Sequence, residues 1–311
     1  MQVFRYPDQI PESYRGAVFA IGNFDGVHMG HRMLLELARK RALNMGQKFG
    51  VLTFEPHPRS LFQPDAPSFR ITPERVKVQR LERSLVDFVV IIPFAPAVAG
   101  LSADEFMQTY LTDYLGTENL IVGRDFHFGH KRQGNYQTLK DAGFHMTVID
   151  KIGDDEGYSF SSTRIREALR SGQFDEAAQI LGWSWEIDGE VIHGDKRGRE
   201  LGYPTANVEL SDTIPPPFGV YACLVRIVED GKDAKWLKAA VNIGIRPMFE
   251  LKHPLVEAYI FDFDREIYGK TLRIRPVQKI RDEMNFDSLD DLVKQIDADC
   301  ASIKEILASS A

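Results

Sequence analysis

The hydrophobic pattern of this 311-residue chain changes once, near residue 185, and that change limits the folds that the chain can adopt. Before residue 185, short β-branched runs alternate with longer amphipathic runs, which is the pattern of a parallel sheet flanked by helices. The predicted strands of this half are residues 17–21, 49–54, 88–92, 120–123 and 146–149. We therefore expect an α/β domain over residues 1–185.

Helix start signals support this order of strands and helices. The apolar residues after Gly30 recur at helical spacing, which predicts a helix whose buried face is formed by Leu34, Leu37, Ala38 and Ala42. Pro73 is expected at a first helical position, and Ser102 should form a capping box with Glu105. Ser162 is expected to be the N-cap of a later helix in this half.

A series of short alternating strands follows residue 185. They are predicted at residues 190–193, 206–210, 220–228, 236–242, 256–263 and 271–279. Short strands with Gly-rich and Pro-rich joints favour a small antiparallel barrel or sandwich over residues 186–311. A final helix is predicted from Ser288, capped with Asp291, and its apolar stripe should pack against the strands.

Composition and charge exclude several classes of protein. With 43% hydrophobic and 27% charged residues, the chain has too much apolar material for a disordered protein. Its formal net charge of −7 is opposite in sign to the basic excess of a dedicated nucleic-acid binder, so no nucleic-acid partner is expected. The longest uncharged apolar stretch, residues 88–101, contains Pro93 and Pro96 and is too short to cross a bilayer.

Two further features concern the compartment and redox chemistry. The first residues contain neither a basic leader nor a long apolar core, so a cytoplasmic location is expected and no membrane partner. Cys223 and Cys300 form no CxxC pair, so the sequence predicts neither a disulfide framework nor a cysteine metal site.

The first candidate site joins the first predicted strand to the first predicted helix. Residues 22–30 contain three glycines, and the helix start offers N–H groups and a positive dipole end, so this place suits a phosphate. His28 and His31 lie three residues apart and can donate hydrogen bonds to a phosphorus centre from one pocket. An isolated HxxH is more often a surface or capping pair, and the HExxH spacing of a zinc helix is absent.

Three other segments of the first half have phosphate or ligand character. Residues 161–166 place hydroxyls and a cation at a helix start, which suits the β- and γ-phosphates of ATP, although alone they would be an ordinary cap. The loops at residues 54–59 and 123–130 follow the second and fourth predicted strands, where open α/β sheets bind ligands. Each loop alone would be interpreted as a rigid Pro-rich or aromatic-rich turn.

The second candidate site is a basic, Gly-rich loop in the later half. Gly194 and Gly198 are interleaved with Lys196, Arg197 and Arg199, so the loop can wrap an ATP tail, although a charged hairpin tip is the alternative. A Walker A pattern is absent.

Two polar residues follow this loop on one predicted strand. Thr205 and Asn207 alternate along that strand and therefore point to the same side. A hydroxyl and an amide oxygen on one side can reach one hard cation such as Mg²⁺.

Several of these motifs resemble those of one known family. The run GxFDGxHxGH at residues 22–31 resembles the nucleotidylyltransferase signature, and residues 161–166 resemble its SSTxIR motif. Together with the two loops, they resemble the FMN adenylyltransferase module of bacterial FAD synthetases. The resemblance implies that His28, His31 and Arg166 stabilise charge during adenylation. It further implies nucleotide contacts from Gly22, Phe24, Asp25, Gly30, Asp125, Ser162 and Thr163.

The later half resembles riboflavin kinases. Residues 194–207 match the motif GxxRGxxLGxPTAN, and Glu257 falls where that family carries its catalytic glutamate. The resemblance implies ATP contacts from Gly194, Lys196 and Gly198, a Mg²⁺ site at Thr205 and Asn207, and flavin contacts from Arg281 and Glu283. Met248 stands where the family usually has threonine, so the flavin-side loop departs from the family pattern at this position.

The resemblance covers residues 16–296, and the motifs follow the order of the bifunctional riboflavin kinase/FAD synthetases. It implies a Rossmann-like α/β nucleotidylyltransferase domain, then an antiparallel Greek-key barrel with a C-terminal helix. Its substrates would be ATP, riboflavin and FMN, with FAD as the final product and Mg²⁺ as the cofactor. The sequence leaves the oligomeric state and the coupling of the two sites open.

Two alternatives stay open at this point. The barrel could be a flavin-binding regulatory module attached to a working adenylyltransferase, for which Met248 is the supporting feature. The chain could instead be a nucleotide-dependent RNA-binding protein that uses the basic loops at 196–199 and 130–132, although its acidic balance opposes this.

Overall fold

The structure is a computed structural model, and it describes residues 1–154, 156–194, 198, 201–210, 212–231, 233–244 and 254–308. The chain forms two compact units, Met1–Ser162 and Thr163–Ala311. The division of the chain at residue 185 stays a prediction.

The first unit is built on a six-stranded parallel sheet. Along the chain, its strands are β1 (Gln2–Arg5), β2 (Val18–Ile21), β3 (Phe49–Glu55), β4 (Phe88–Pro93), β5 (Asn119–Gly123) and β8 (His145–Ile149). A separate two-stranded hairpin of β6 (His127–Phe128) and β7 (Gly134–Asn135) lies between β5 and β8 in the sequence. The spatial order is β1-β4-β3-β2-β5-β8, and every pairing in it is parallel. The predicted α/β domain is confirmed.

Helices cover both faces of this sheet. They are α1 (Met29–Met45), α2 (Pro58–Phe62), α3 (Glu74–Arg83), α4 (Pro96–Ala99), α5 (Ala103–Phe106), which continues as a π-helical segment (Met107–Tyr114), and α6 (Tyr136–Asp141). The central strands are buried on both faces, which is why β2, β3 and β4 are continuous apolar runs rather than alternating ones.

Three details of the helices test the sequence predictions. The capping box of Ser102 and Glu105 is present at the start of α5. The buried face of α1 includes Leu35 in place of Leu37, which is 43% exposed. Leu35, Ala38 and Ala42 follow one another at spacings of three and four residues, so they form the buried stripe and Leu37 lies beside it. Pro73 is the N-cap of α3 rather than its first residue.

Next along the chain are α7 (Ser162–Arg170), whose first residue is the last of the first unit, and α8 (Phe174–Leu181). Ser162 is the first residue of α7, so the prediction that it is the N-cap was wrong by one position. Helix α8 ends at Gly182, whose φ of 72° is the left-handed conformation that closes a helix without a Cβ clash.

The rest of the second unit is a closed barrel. Its strands are β9 (Ile187–Ile192), β10 (Ala206–Glu209), β11 (Gly219–Ile227), β12 (Leu237–Gly244), β13 (Leu255–Ile260) and β14 (Thr271–Arg281). They close in the order β10-β13-β12-β11-β14-β9, and all pairings are antiparallel. The barrel form of the prediction is confirmed, and the sandwich is excluded.

A C-terminal helix, α9 (Leu289–Ala308), lies against the outside of the barrel. The hydroxyl of Ser288 accepts a hydrogen bond from the Asp291 N–H at 3.1 Å, which confirms the predicted cap. Cys300, Ile303 and Leu307 of α9 are buried in a cluster with Ala222 and Phe261 of the barrel. Within the described part of the chain, no helix combines the length and apolar character that crossing a membrane requires.

Candidate active sites

The loop between β2 and α1 has an unusually tight backbone. Phe24 and Val27 have φ values of 50° and 40°, in the left-handed region that side chains other than glycine rarely adopt. Both side chains are 1% exposed, so burial of two apolar groups holds the loop in this conformation. The loop therefore presents a fixed backbone at the carboxyl end of a central strand, where α/β sheets bind ligands.

Asp25 fastens this loop to the segment before α3. Its carboxylate, which is 4% exposed, accepts hydrogen bonds from the N–H groups of Ile71 and Thr72, both at 3.0 Å. The Gly26 N–H donates to the Thr72 hydroxyl at 2.9 Å. These bonds to charged and neutral acceptors fix the loop, and they turn the Asp25 carboxylate toward the protein interior.

The two histidines lie together at the N-terminus of α1. Their rings are stacked with centroids 3.6 Å apart and planes 22° apart. His28 is the N-cap of α1, and its Nδ1 accepts a hydrogen bond from the His31 N–H at 3.3 Å. Because Nδ1 accepts this bond, the proton of the neutral His28 ring lies on Nε2.

Gly30 makes this arrangement possible. A Cβ at Gly30 would lie 3.2 Å from the His28 ring and 3.3 Å from the Phe160 carbonyl oxygen. The His31 ring also packs edge-on against the Phe24 ring, with 5.1 Å between the two centroids. The two rings thus lie face to face, with Gly30 beside the His28 ring and Phe24 beside the His31 ring.

The other residues of the first motif set lie around the same loop or on α7. Ser162, the last residue of the first unit, donates its hydroxyl to the Asp25 carbonyl oxygen at 2.8 Å. Gly22 follows β2 directly, and its N–H donates to the Leu52 carbonyl oxygen. Thr163 is exposed and Arg166 half-buried on α7.

Asp125 is the predicted nucleotide contact from the loop at residues 123–130. It follows β5, its side chain is exposed, and its carboxylate lies 3.5 Å from the Lys151 ammonium group. A Cβ at Gly123 would meet this carboxylate at 3.1 Å, so the glycine lets Asp125 fold back over the end of the strand.

A buried ionic cluster, which the sequence analysis did not identify, lies directly beneath this loop. Glu55, at the end of β3, contacts Arg70 at 2.7 Å and Lys77 of α3 at 2.5 Å, and all three side chains are at most 7% exposed. The Lys77 ammonium group also donates to the carbonyl oxygens of Asn23 and Phe54, at 3.2 and 3.3 Å. Lys77 therefore connects the start of the β2–α1 loop to the end of β3.

Burial and the Glu55 carboxylate have opposite effects on the pKa of Lys77 in this cluster. Burial lowers the pKa of Lys77 below its ordinary value, and the neighbouring Glu55 carboxylate opposes that shift. A carboxylate at the end of the otherwise apolar sequence FGVLTFE is the signal that could have identified the cluster.

Replacing Lys77 with methionine should destabilise the first unit by about 3 kcal/mol, because removing one partner of a buried ionic network leaves the others unpaired. Urea unfolding measures this change. The matched control is Lys40→Met, since Lys40 pairs with Glu36 on the exposed side of α1, where solvent screens the pair and its loss should change stability little. Equal losses in the two variants would contradict a structural role for the cluster.

The second site is a cavity of about 900 Å³ on the outer wall of the barrel, next to α9. Strand register places five of its lining residues in one row: each is the direct partner of the next across neighbouring strands. In spatial order they are Asn207, Glu257, Asn242, Val220 and Arg281. Directly opposed residues point to the same face of a sheet, so this row forms one level of the cavity wall.

Asn207 is the most buried polar residue of this row, at 7% exposed. Its Oδ1 is buried and accepts no hydrogen bond from the part of the chain that the structure describes. A Cβ at Gly194 would collide with the Asn207 amide, so glycine there allows the loop to lie against this side chain. Thr205 lines the same cavity two residues earlier.

The donor set at this point fits a hard cation. The Thr205 hydroxyl and the Asn207 amide oxygen are oxygen ligands, which Mg²⁺ prefers. Within the described ranges, no group of three or more His, Cys, Asp or Glu side chains could hold a metal ion. At nucleotide sites Mg²⁺ usually takes one or two protein ligands, with substrate phosphates and water as the others, and two oxygen donors fit that pattern.

Two aspartates of helix α9 form hydrogen bonds with residues that line the cavity. Asp299, which is 5% exposed, accepts hydrogen bonds from the Arg281 guanidinium group, with Nε to Oδ2 at 2.9 Å. Asp297 accepts the Tyr203 hydroxyl at 2.7 Å, and this bond raises the pKa of Tyr203 to about 12. Helix α9 therefore orients Arg281, the predicted flavin contact. It also orients Tyr203, which lies two residues before Thr205, the first predicted metal ligand.

The remaining predicted residues of this site lie at its edges or outside the described residues. Glu283 lies over the last residue of β12, where a Cβ at Gly244 would collide with its carboxylate. Gly198 accepts a hydrogen bond from the Tyr203 N–H at 2.7 Å. Lys196, and Met248 with the loop at residues 245–253, lie outside the described residues.

Comparison with known proteins gives matches for both units. Residues 10–164 match the family described as FAD synthetase, and residues 181–307 match the family described as riboflavin kinase. A Haemophilus influenzae protein named bifunctional riboflavin kinase/FMN adenylyltransferase is 36% identical over 99% of this chain and 100% of its own length. A protein of the same name from Pseudomonas fluorescens is 38% identical over 100% of this chain and 99% of its own length.

Among solved structures, the chain is similar to a Streptococcus pneumoniae protein described as a macrolide-efflux protein. The TM-score is 0.82 and the sequence identity 31%, over 98% of this chain and 99% of that one. The two chains therefore share their fold along nearly their whole length.

Proposed function

The chain belongs to the family of bifunctional riboflavin kinases/FMN adenylyltransferases, and from that premise we propose which of its residues perform each reaction. It is a transferase with two ATP-dependent activities in flavin cofactor biosynthesis. The riboflavin kinase activity phosphorylates riboflavin to FMN, and the adenylyltransferase activity converts FMN to FAD and pyrophosphate. The match of the barrel to the riboflavin kinase family favours a working kinase over a regulatory flavin-binding module.

In the adenylyl transfer, a phosphate oxygen of FMN attacks the α-phosphorus of ATP, and pyrophosphate leaves from the opposite side. The protein must position the reactants and stabilise the charge that develops on the α-phosphate. The stacked pair of His28 and His31 at the N-terminus of α1 is the observation that supports this role most directly. Two ring N–H donors and the positive end of a helix act on the same charge.

The other nucleotide contacts of this unit remain proposals that fit the loop. We assign backbone approach to the phosphates to Gly22, Phe24 and Gly30, and phosphate contacts on α7 to Ser162, Thr163 and Arg166. Asp125 is assigned to the nucleoside part of ATP. Asp25 is assigned a positioning role, because its carboxylate is bonded to the N–H groups of Ile71 and Thr72.

In the kinase reaction, the riboflavin 5′-hydroxyl attacks the γ-phosphorus of ATP. Glu257 is assigned as the base that orients and deprotonates this hydroxyl, because it lies beside Asn207 in the same row of the cavity wall. Gly194, Lys196 and Gly198 are assigned to the ATP tail. Arg281 and Glu283 are assigned to the flavin ring, at the end of the cavity that α9 orders.

Thr205 and Asn207 would hold the Mg²⁺ ion that accompanies ATP. When bound, the ion would neutralise negative charge on the phosphates during the transfer. The buried and unpartnered Oδ1 of Asn207, described above, is the observation that favours this assignment. The Thr205 hydroxyl, from the residue just before β10, would supply the second oxygen.

Replacing Asn207 with leucine should raise the Mg²⁺ concentration that half-saturates FMN formation by about tenfold or more. Leucine has a volume similar to that of asparagine but lacks the amide oxygen that would bind the ion. The titration is carried out at fixed ATP and riboflavin. The conversion of supplied FMN to FAD by the same variant is the control, and its Mg²⁺ dependence should not change. An unchanged titration of FMN formation would remove Asn207 from the metal site.

Two assignments concern the surroundings of the enzyme. A cytoplasmic location is proposed, since ATP and the flavins are all substrates or products of metabolism inside the cell. Small molecules are the proposed partners, and the net charge of −7 opposes a nucleic-acid partner.

The first experiment incubates the purified chain with riboflavin, ATP and Mg²⁺ and separates the flavins by chromatography over time. FMN that appears first and then gives way to FAD is the expected result. Riboflavin that stays unchanged while supplied FMN becomes FAD would contradict a working kinase, and FMN that accumulates without FAD would contradict the first site.

A further inference from the structure

The row of residues on the cavity wall gives a direction to the bound flavin. Glu257, the proposed base, lies on β13, and Arg281, the proposed flavin contact, lies on β14. Two strands separate them, so the distance along the wall is about 14 Å at the usual spacing of strands. Riboflavin has the same order of parts, because a five-carbon ribityl chain separates its 5′-hydroxyl from its ring.

Two residues of the row lie under the middle of this path. They are Asn242 on β12, directly opposite Glu257, and Val220 on β11, directly opposite Arg281. Asn242 and Val220 are themselves register partners, so the row is continuous from the base to the flavin contact. Both line the cavity.

Asn242 is the polar member of this pair. Its side chain is half-buried, and no hydrogen bond to its amide comes from the residues that the structure describes. An amide has two N–H donors and an acceptor oxygen, so it can satisfy hydroxyl groups that both donate and accept. A site built to bond a substrate hydroxyl rejects an analogue that lacks it, because the amide is then left unpaired.

We propose that Asn242 recognises the ribityl chain of riboflavin and determines the specificity of the kinase for a polyhydroxylated chain. The proposal rests on the kinase function assigned above. Asn242 lies one strand spacing, about 4.8 Å, from Glu257, so its amide faces the 3′- and 4′-hydroxyls when the 5′-hydroxyl is at the base. Val220 then contacts the apolar start of the chain, next to the ring.

The test compares two substrates that differ only in the hydroxyls of the chain. One is riboflavin, and the other has the same ring with a 5-hydroxypentyl chain, which keeps the phosphorylated hydroxyl and lacks the other three. Asn242→Leu keeps the side-chain volume and removes the amide. We expect kcat/KM for riboflavin to fall about tenfold, mainly through KM, and kcat/KM for the analogue to change by less than about twofold.

The control is Gln278→Leu, because Gln278 is an exposed amide on β14 outside the cavity lining. This variant should leave kcat/KM unchanged for both substrates. An equal fall for both substrates in Asn242→Leu would overturn the proposal, as would an unchanged value for riboflavin.

A folding defect would not imitate the expected result. The ratio of the two kcat/KM values is taken within one preparation of the full chain, so a loss of folded protein cancels. If the leucine variant fails to fold, Asn242→Ala, which also removes the amide, is measured in the same way and should show the same fall in the ratio. A wild-type chain that forms no FMN would instead refute the kinase function itself.

Discussion

Replacing Glu257 with glutamine is expected to lower kcat for FMN formation by about 10²–10⁴-fold, which is the range that a general base contributes. Glutamine keeps the size and the hydrogen-bonding geometry of the side chain but cannot accept the proton of the riboflavin 5′-hydroxyl. The KM for riboflavin should change little, because the substrate contacts along the wall are kept. Initial rates of FMN formation at saturating ATP and Mg²⁺ measure the effect.

Two comparisons make this result specific. The same preparation, supplied with FMN, should form FAD at the rate of the unchanged chain, since Glu257 lies in the second unit and the histidine pair in the first. Glu190→Gln is the matched control, because Glu190 is an exposed glutamate on β9 of the same barrel. If Glu257→Gln formed FMN at the normal rate, the assignment of the base would be wrong.

Loss of either histidine is the second large effect. His31→Ala should lower kcat/KM for FAD formation by roughly 10²–10³-fold, the usual cost of removing one donor to a developing oxyanion. His28→Asn should produce a similar fall, although asparagine is a good N-cap and can accept the His31 N–H in its place. Conversion of FMN to FAD by the purified variants measures both effects.

The asparagine variant separates chemistry from folding. His28→Ala also removes the N-cap of α1 and should cost about 1 kcal/mol of stability, whereas His28→Asn should not. His145→Asn is the control, because His145 is an exposed histidine on β8 of the same unit. Normal FAD formation by His28→Asn would reduce His28 to a capping residue, which was the alternative that the sequence left open.

The sequence predicts much of this fold because its strongest signals are local. The strands β2 to β5 are short apolar runs between glycine-rich or proline-containing turns, and the barrel strands alternate. Strand β1 was missed because Gln2–Arg5 is a four-residue edge strand without a fully buried residue, so it has little hydrophobic pattern. The prediction of Ser162 as an N-cap failed by one residue, since several hydroxyls stand next to one another there.

The parts of the sites that the sequence does not reveal depend on long-range contacts. Lys77, Arg70 and Glu55 are ordinary surface-type residues in the chain, and only the folded sheet brings them together beneath the phosphate loop. Asn242 is similar, because its position between Glu257 and Val220 depends on the register of a closed barrel. Motifs identified the residues of each site, and topology determined which of them are neighbours.

The anchoring of Arg281 and Tyr203 by α9 has a consequence for the order in which a ribosome makes this enzyme. Asp297 and Asp299 are translated after all six strands of the barrel, so a nascent chain that already contains the complete barrel still lacks both anchors. The loop that carries the stacked histidines contacts residues up to Ser162, and all of these precede the barrel strands in the chain. During synthesis, the machinery for the second reaction of the sequence is therefore assembled before that for the first.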